Sequence, residues 1–192
     1  MPAKFIISAA GPDQFPPDTE PEVAFLGRSN VGKSSLLNAL TDSGGAAFGG
    51  AKVSSWPGRT QLINFYQVEG GFRFVDLPGY GFARVPKEHT VKWQALIESY
   101  LLSRQCLSVL LLDSRRGWMQ KDIELRDWLE FHQKPYLVVA TKVDKLKSQK
   151  EKHQSQNALR LGYRGQWLEC SAETGRGMRE IWQAISTIKT NR

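Results

Sequence analysis

Apolar positions along the chain fall into two alternating kinds of segment. Val23–Leu26, Val109–Leu112 and Leu137–Ala140 are unbroken apolar runs of strand length, and Trp167–Cys170, interrupted by Glu169, is a further strand-like piece. Runs with no polar face predict strands covered on both sides, the condition inside a parallel sheet. Gln61–Val68 and Phe72–Val75 are also strand-like. Glu69-Gly70-Gly71 between them is a hairpin signal, so one antiparallel strand is expected. Other stretches place apolar residues three and four apart. These are Leu36, Leu37 and Leu40; Trp93, Leu96, Ile97, Tyr100 and Leu101; Leu125, Trp128, Leu129 and His132; and Met178, Ile181, Trp182 and Ile185. Each predicts a helix that lays one face on the sheet. Strands alternating with helices predict an α/β fold with a mostly parallel sheet. No internal repeat is visible.

Three segments lack a clear period. Residues 1–21 are rich in proline and are read as an N-terminal extension, with Phe5–Ser8 adding to the domain that spans 22–192. Thr41–Trp56 is rich in Gly, Ser and Ala and is expected to be a long mobile loop. Gln149–Gln156 is polar and charged, which suits a solvated helix or disorder equally.

At 192 residues the chain suits one domain. With 41% hydrophobic and 10% aromatic residues it can bury a core, which excludes a disordered chain. No apolar run approaches the ~20 residues of a membrane span, so no stable membrane insertion is expected. The apolar piece after Lys4 is shorter than a signal-peptide core and soon meets Pro12. Cys106 and Cys170 form no CxxC pattern and read as buried free thiols in a reducing, cytoplasmic setting. A net charge of +7 favours anionic partners without choosing among nucleic acid, acidic protein and anionic membrane.

The strongest chemical signal is Gly27-Arg28-Ser29-Asn30-Val31-Gly32-Lys33-Ser34, which fits G-x-x-x-x-G-K-[ST]. An apolar strand precedes it and an apolar helix follows. Residue frequencies alone allow about one chance match per hundred such chains before that context is required. The glycines let the backbone curl until several N–H groups point inward, and with the helix N-terminus those donors suit a polyphosphate. Lys33 reaches the β- and γ-phosphates, and the Ser34 hydroxyl is a Mg²⁺ ligand.

Asp76-Leu77-Pro78-Gly79 follows the strand Phe72–Val75. A carboxylate at that strand end faces the ligand crevice and can hold Mg²⁺ through water, while Gly79 leaves an N–H open to a γ-phosphate. Thr60, in Pro57-Gly58-Arg59-Thr60-Gln61, can complete the Mg²⁺ shell when the γ-phosphate is present, giving the loop two states. Trp56 beside it is either exposed in one state or packed on the core. Thr141-Lys142-Val143-Asp144 follows the strand Leu137–Ala140. The Asp144 carboxylate can accept from guanine N1–H and the 2-amino group together, a donor pair that adenine lacks. The stem of Lys142 can lie along the base, and the Ala172 N–H after Ser171 can donate to guanine O6.

Taken together, GRSNVGKS, PGRTQ, DLPGYG, TKVD and CSAETG resemble the EngB (YihA/YsxC) family, within the TrmE–Era–EngA–YihA–septin group of P-loop GTPases. The resemblance runs from about Glu22 to the C-terminus. It implies a Ras-like fold, with a six-stranded sheet, one antiparallel strand and helices on both faces. It also implies GTP and GDP binding, slow GTP hydrolysis, a monomer, and action in large ribosomal subunit assembly with rRNA and ribosomal proteins as partners. Bacterial growth, division and septation are implied as the processes that need it. By resemblance, nucleotide contacts fall on Gly27–Ser34, on Gly58, Arg59, Thr60, Gln61 and Leu62, on Asp76–Gly79, on Thr141–Asp144, and on Cys170, Ser171 and Ala172. Catalytic roles fall on Lys33, Thr60, Gly79 and Asn30, and Mg²⁺ ligation on Ser34, Thr60 and, through water, Asp76.

Two positions depart from GTPases at large. Thr141 stands where Asn is common and can make fewer hydrogen bonds, so a weaker brace of the base loop is expected. Tyr80 stands where Ras-type enzymes place a water-positioning Gln, so slow intrinsic hydrolysis is expected. Asn30 matches the residue that helps hold K⁺ in related potassium-activated GTPases; its other reading is a plain turn residue. Candidate RNA contacts are Arg115, Arg116, Lys142, Lys145, Lys147, Lys150, Lys152, Arg176 and Arg179, or these are only a solvated face. His89, His132 and His153 show no ligand spacing, and Asp113 has no assigned role. Beside the GTPase switch stand two other readings: a nucleotide-insensitive RNA or division scaffold, and an ATP-using P-loop enzyme.

Overall fold

The structure, a computed structural model, describes residues 2–41, 62–80 and 87–187, the side chains of 87–90 and 93 excepted. Seven strands form one sheet: β1 (Ala3–Ala9), β2 (Glu22–Gly27), β3 (Ile63–Val68), β4 (Phe72–Asp76), β5 (Cys106–Asp113), β6 (Tyr136–Thr141) and β7 (Trp167–Glu169). Their spatial order is β1-β3-β4-β2-β5-β6-β7. β2 pairs parallel with β4 and β5, and the ladder continues parallel through β6 to β7. Only β3 opposes its neighbours, joined to β4 by the expected hairpin.

Five helices lie among the described residues: α1 (Lys33–Thr41), α2 (Lys87–Ser103), α3 (Gln120–Phe131), α4 (Gln149–Gly162) and α5 (Met178–Ser186). Side chains alternate across the pleat, so each central strand feeds two cores. Val23, Phe25, Val109 and Leu111 join Leu36, Leu37 and Leu40 of α1 and Ile181 and Ile185 of α5. Ala24, Leu26 and Leu110 meet Leu96, Ile97, Tyr100 and Leu101 of α2 and Leu129 of α3 on the other face. Leu112 and Ala140 pack on Leu159 of α4.

The fold class is as expected, but the sheet has seven strands rather than six. The additional strand is β1, which takes the open edge of β3 from Ala3 opposite Val68 to Ala9 opposite Ile63. A register shift between Phe5 and Ile7 interrupts its alternation and leaves Phe5 and Ile6 exposed, which blurs the strand signal. α4 resolves the polar segment as a helix. Ser148 caps it by accepting from the Glu151 N–H, and Ser155 and Leu159 form its buried side. Residues 42–56 of the predicted loop, with Trp56, lie outside the described residues, as does the His89 side chain.

All the parallel strands end at one edge of the sheet. At the other end Glu22 is fully buried. It accepts from Arg73 Nη1 at 3.0 Å and from the Tyr100 hydroxyl at 2.9 Å. Arg73 also donates to the Pro17 carbonyl at 2.7 Å, and Arg104 reaches the Pro16 carbonyl, so the network clamps the segment between β1 and β2.

Candidate functional site

At the C-terminal end of β2 the chain turns through Arg28–Gly32 and enters α1. The turn is tight because Asn30 (φ +62°) and Gly32 (φ +105°) both adopt left-handed backbone. The Leu36 N–H donates to the Gly32 carbonyl at 2.9 Å, so helical bonding starts at the end of the loop. The loop is therefore the strand–bend–helix cradle that the sequence predicts, with Ser34 in the first turn of α1.

β4 delivers Asp76 beside this loop, because the parallel register sets Asp76 opposite Phe25. Lys33 Nζ is held between the Asp76 carboxylate and the Leu77 carbonyl. Gly79 then passes against the loop. A Cβ there would lie 3.1 Å from the Ser29 N and 3.2 Å from its Cα, so a side chain would require the loop backbone to give by a few tenths of an ångström. The adjoining Tyr80 is 7% exposed and donates its hydroxyl to Asp122 Oδ1 at 2.7 Å. Its phenol is thus buried among α2 and α3 residues, well separated in role from a water-positioning amide.

A cavity of about 390 Å³ opens beside the loop, lined by residues of α1, the β6 end and the segment after β7. Thr141 Oγ1 lies 2.6 Å from the Val31 carbonyl and 3.0 Å from the Leu112 carbonyl. Despite its smaller hydrogen-bonding capacity, Thr therefore ties the base loop to the phosphate loop. Lys142 adopts left-handed backbone (φ +60°), and its Nζ donates to the Asn30 carbonyl at 2.5 Å and to Asp113 Oδ2 at 3.2 Å. This gives Asp113 the role that the sequence left open. Burial alone would raise its carboxyl, but hydrogen bonds from Arg115 and Lys142 prevail and hold it at about 2. As an anion at neutral pH it fixes Lys142 beside the cavity.

Asp144 and Ala172 line the same cavity, as do Lys145 and Glu173. A hydrogen bond with the Ser171 side chain holds the Asp144 carboxyl below its ordinary range, and Lys145, 3.1 Å away, acts the same way. Cys170 supplies backbone: its N–H donates to the Ala140 carbonyl at 2.8 Å, and its carbonyl accepts from the Val143 N–H at 3.2 Å. Burial pushes the Cys170 thiol up to about 12 and the Cys106 thiol to about 11, so neither is a nucleophile. Both are free, as the sequence suggests.

The structure thus brings Gly27–Ser34, Asp76–Gly79, Thr141–Asp144 and Cys170–Ala172 to one end of the sheet. Leu62 is described just before β3, whereas Gly58, Arg59, Thr60 and Gln61 lie outside the described residues. Sequence reasoning did not single out Ser35, Asn38 and Ala39, which line the cavity from α1. Their three- and four-residue spacing opposite Leu36, Leu37 and Leu40 was the available signal. Several candidate RNA contacts carry carboxylate partners: Arg115 with Asp113, Lys145 with Asp144, Arg176 with Glu169 and Arg179 with Glu180. His132 packs against Trp128 with the rings tilted and their centroids 4.3 Å apart, and no group of three metal-ligating side chains occurs among the described residues.

A phosphate loop after the first parallel strand, with a carboxylate-bearing base loop two strands away, is the arrangement of a P-loop GTPase. Residues 22–142 match the family described as "50S ribosome-binding GTPase". "Probable GTP-binding protein EngB" of Solibacter usitatus is 56% identical over 188 residues, covering 96% of this chain and 95% of its own length. Its namesake from Desulforamulus reducens is 46% identical, covering 95% and 90%. The chain belongs to the EngB family of GTP-binding proteins. Its fold is similar to that of a crystal structure of an engB protein (TM-score 0.70, 24% identity, 89% of this chain and all of that one). It is also similar to Aquifex aeolicus Era bound to GDP and AlF4⁻ (TM-score 0.61, 24% identity, 85% and 55% covered).

Proposed function

We propose that this GTP-binding protein is a slow molecular switch that assists assembly of the large ribosomal subunit, in the cytoplasm and as a monomer, and so serves bacterial growth, division and septation. The observation that carries this reading is the match of residues 22–142 to a family described by 50S ribosome binding. A net charge of +7 is consistent with an rRNA partner. In this reading residues 22–192 are the switch domain and 1–21 its extension.

Lys33, Gly79 and the N–H groups of Gly27–Ser34 hold the phosphates, joined by Thr60. Gly58, Arg59, Gln61 and Leu62 complete the nucleotide contacts. Asp144 and the Ala172 N–H read the base edge, and Lys142 covers its face. Mg²⁺ keeps several waters and takes few protein ligands besides phosphate. One hydroxyl (Ser34) and one carboxylate (Asp76) at the cradle fit that demand, with Thr60 as a further ligand. When bound, Mg²⁺ supplies charge neutralisation across the β- and γ-phosphates.

Slow turnover follows from Tyr80, whose phenol is engaged with Asp122 where a Gln would orient water. Asn30, exposed on its left-handed bend, can offer its side-chain oxygen to a K⁺ ion beside the phosphates. Turnover is then expected to be faster in KCl than in NaCl, and Asn30→Ala should remove the difference. Equal wild-type rates in the two salts would end the K⁺ role.

The test of the function itself is sedimentation with large-subunit precursors. The chain loaded with a non-hydrolysable GTP analogue is expected to co-sediment, and the GDP form to stay in the supernatant. Equal co-sedimentation in both states would support the nucleotide-insensitive scaffold instead.

A further inference from the structure

Tyr80 is held to the rest of the molecule at three atoms. Its carbonyl accepts the Ser29 N–H at 3.0 Å, its N–H donates to the Gly27 carbonyl at 3.3 Å, and its hydroxyl donates to Asp122 Oδ1 at 2.7 Å. The first two lie on the phosphate loop. The third lies at the start of α3, where Asp122 Oδ2 also accepts the Met119 N–H at 3.0 Å. Asp122 is 2% exposed. We propose that the Tyr80–Asp122 hydrogen bond is a latch that sets how strongly the site distinguishes GTP from GDP. It rests on the reading of Gly27–Ser34 as the phosphate site.

The coupling runs through the Ser29 amide. A loop that cradles phosphate does so with its inward N–H groups. Here the Ser29 N–H is taken by a carbonyl oxygen, whose partial negative charge also opposes an anion at that place. A terminal phosphate that claims the Ser29 N–H must displace the Tyr80 carbonyl. Moving that backbone moves the ring, because the carbonyl and the phenol belong to one residue whose N–H is also bonded to the loop at Gly27. The hydroxyl must then leave Asp122, and a buried carboxylate losing a donor is costly. GDP makes no such demand, so the latch disfavours the triphosphate selectively. Tyr80 is a positioning residue here: it acts by placing Gly79 and the Ser29 amide.

Tyr80→Phe removes the hydroxyl and keeps the ring. Asp122 then lacks that donor in both nucleotide states, so the difference between the states shrinks. The measurement is the Kd of the full chain for GDP and for the β,γ-imido analogue of GTP with Mg²⁺, with a thermal melt of each protein. The ratio of the GDP Kd to the analogue Kd is expected to rise about tenfold in Tyr80→Phe, the scale of one hydrogen bond to a charged group. Asp122→Asn, which keeps a neutral acceptor, should raise it less. A melting temperature that falls while the ratio stays constant would overturn the latch and leave a purely structural contact. So would a ratio that falls in either variant. Wild-type protein that binds neither nucleotide would overturn the reading of the phosphate site itself, before any variant is compared.

Discussion

Asp144→Asn is expected to weaken GTP binding by about a thousandfold and to give the protein a preference for xanthosine triphosphate. Guanine presents two adjacent donors, N1–H and the 2-amino group, and a carboxylate offers an oxygen to each. An amide offers one oxygen and one NH₂, so one guanine donor faces another donor. Xanthine carries a carbonyl in place of the 2-amino group, and the new NH₂ can donate to it. Asp144 is poised for the carboxylate role because the Ser171 and Lys145 side chains stabilise its ionised form. Displacement of a fluorescent nucleotide by GTP and by xanthosine triphosphate reads both effects. Unchanged GTP affinity would show that the base lies elsewhere.

The second large effect is on stability, at the far end of the sheet. Arg73→Met is expected to lower stability by about 3 kcal/mol, because it leaves the fully buried Glu22 without its closest cation. Tyr100 still donates at 2.9 Å, and Arg104 stands 3.7 Å away, so part of the network survives. For a domain of this size the loss corresponds to a fall in melting temperature of about 10 °C. Loss of the Pro17 contact should loosen the segment before β2 as well, and hydrogen exchange would show it. Glu22 lies at the opposite end of β2 from Gly27, about 17 Å away along the strand. Nucleotide affinity measured below the melting temperature should therefore stay at the wild-type value. An unchanged melting temperature would mean that Glu22 is neutral or fully served by its other partners.

Legibility of the fold followed burial. Val23–Leu26, Val109–Leu112 and Leu137–Ala140 are covered on both faces, so composition alone marks them as strands. β1 was obscure because it is an edge strand whose register shifts beside Phe5, and an edge needs only one good face. α4 was obscure because its buried side rests on Ser155 and Leu159, and Ser155 donates to the Ser114 carbonyl at 2.6 Å instead of packing as an apolar residue. Within the candidate site, the proposed phosphate and base loops stand out in the sequence because each is one contiguous segment with demanding chemistry. The braces between them could not. Thr141 to Val31, Lys142 to Asn30 and Tyr80 to Asp122 join residues far apart in sequence, and only the sheet order brings them together. Asp113 has a local partner in Arg115, but its place at the site comes from the Lys142 ammonium on the neighbouring strand end, which nothing near it in sequence announces.

We expect the phosphate cradle and the Asp144 carboxylate to act as one site. Calorimetric titration of nucleotide-free protein with GTP and with ATP, each with Mg²⁺, tests it most directly. One-to-one binding of GTP, with no heat from ATP at the same concentrations, is the predicted result. Equal affinity for the two nucleotides, or no binding of GTP, would contradict it.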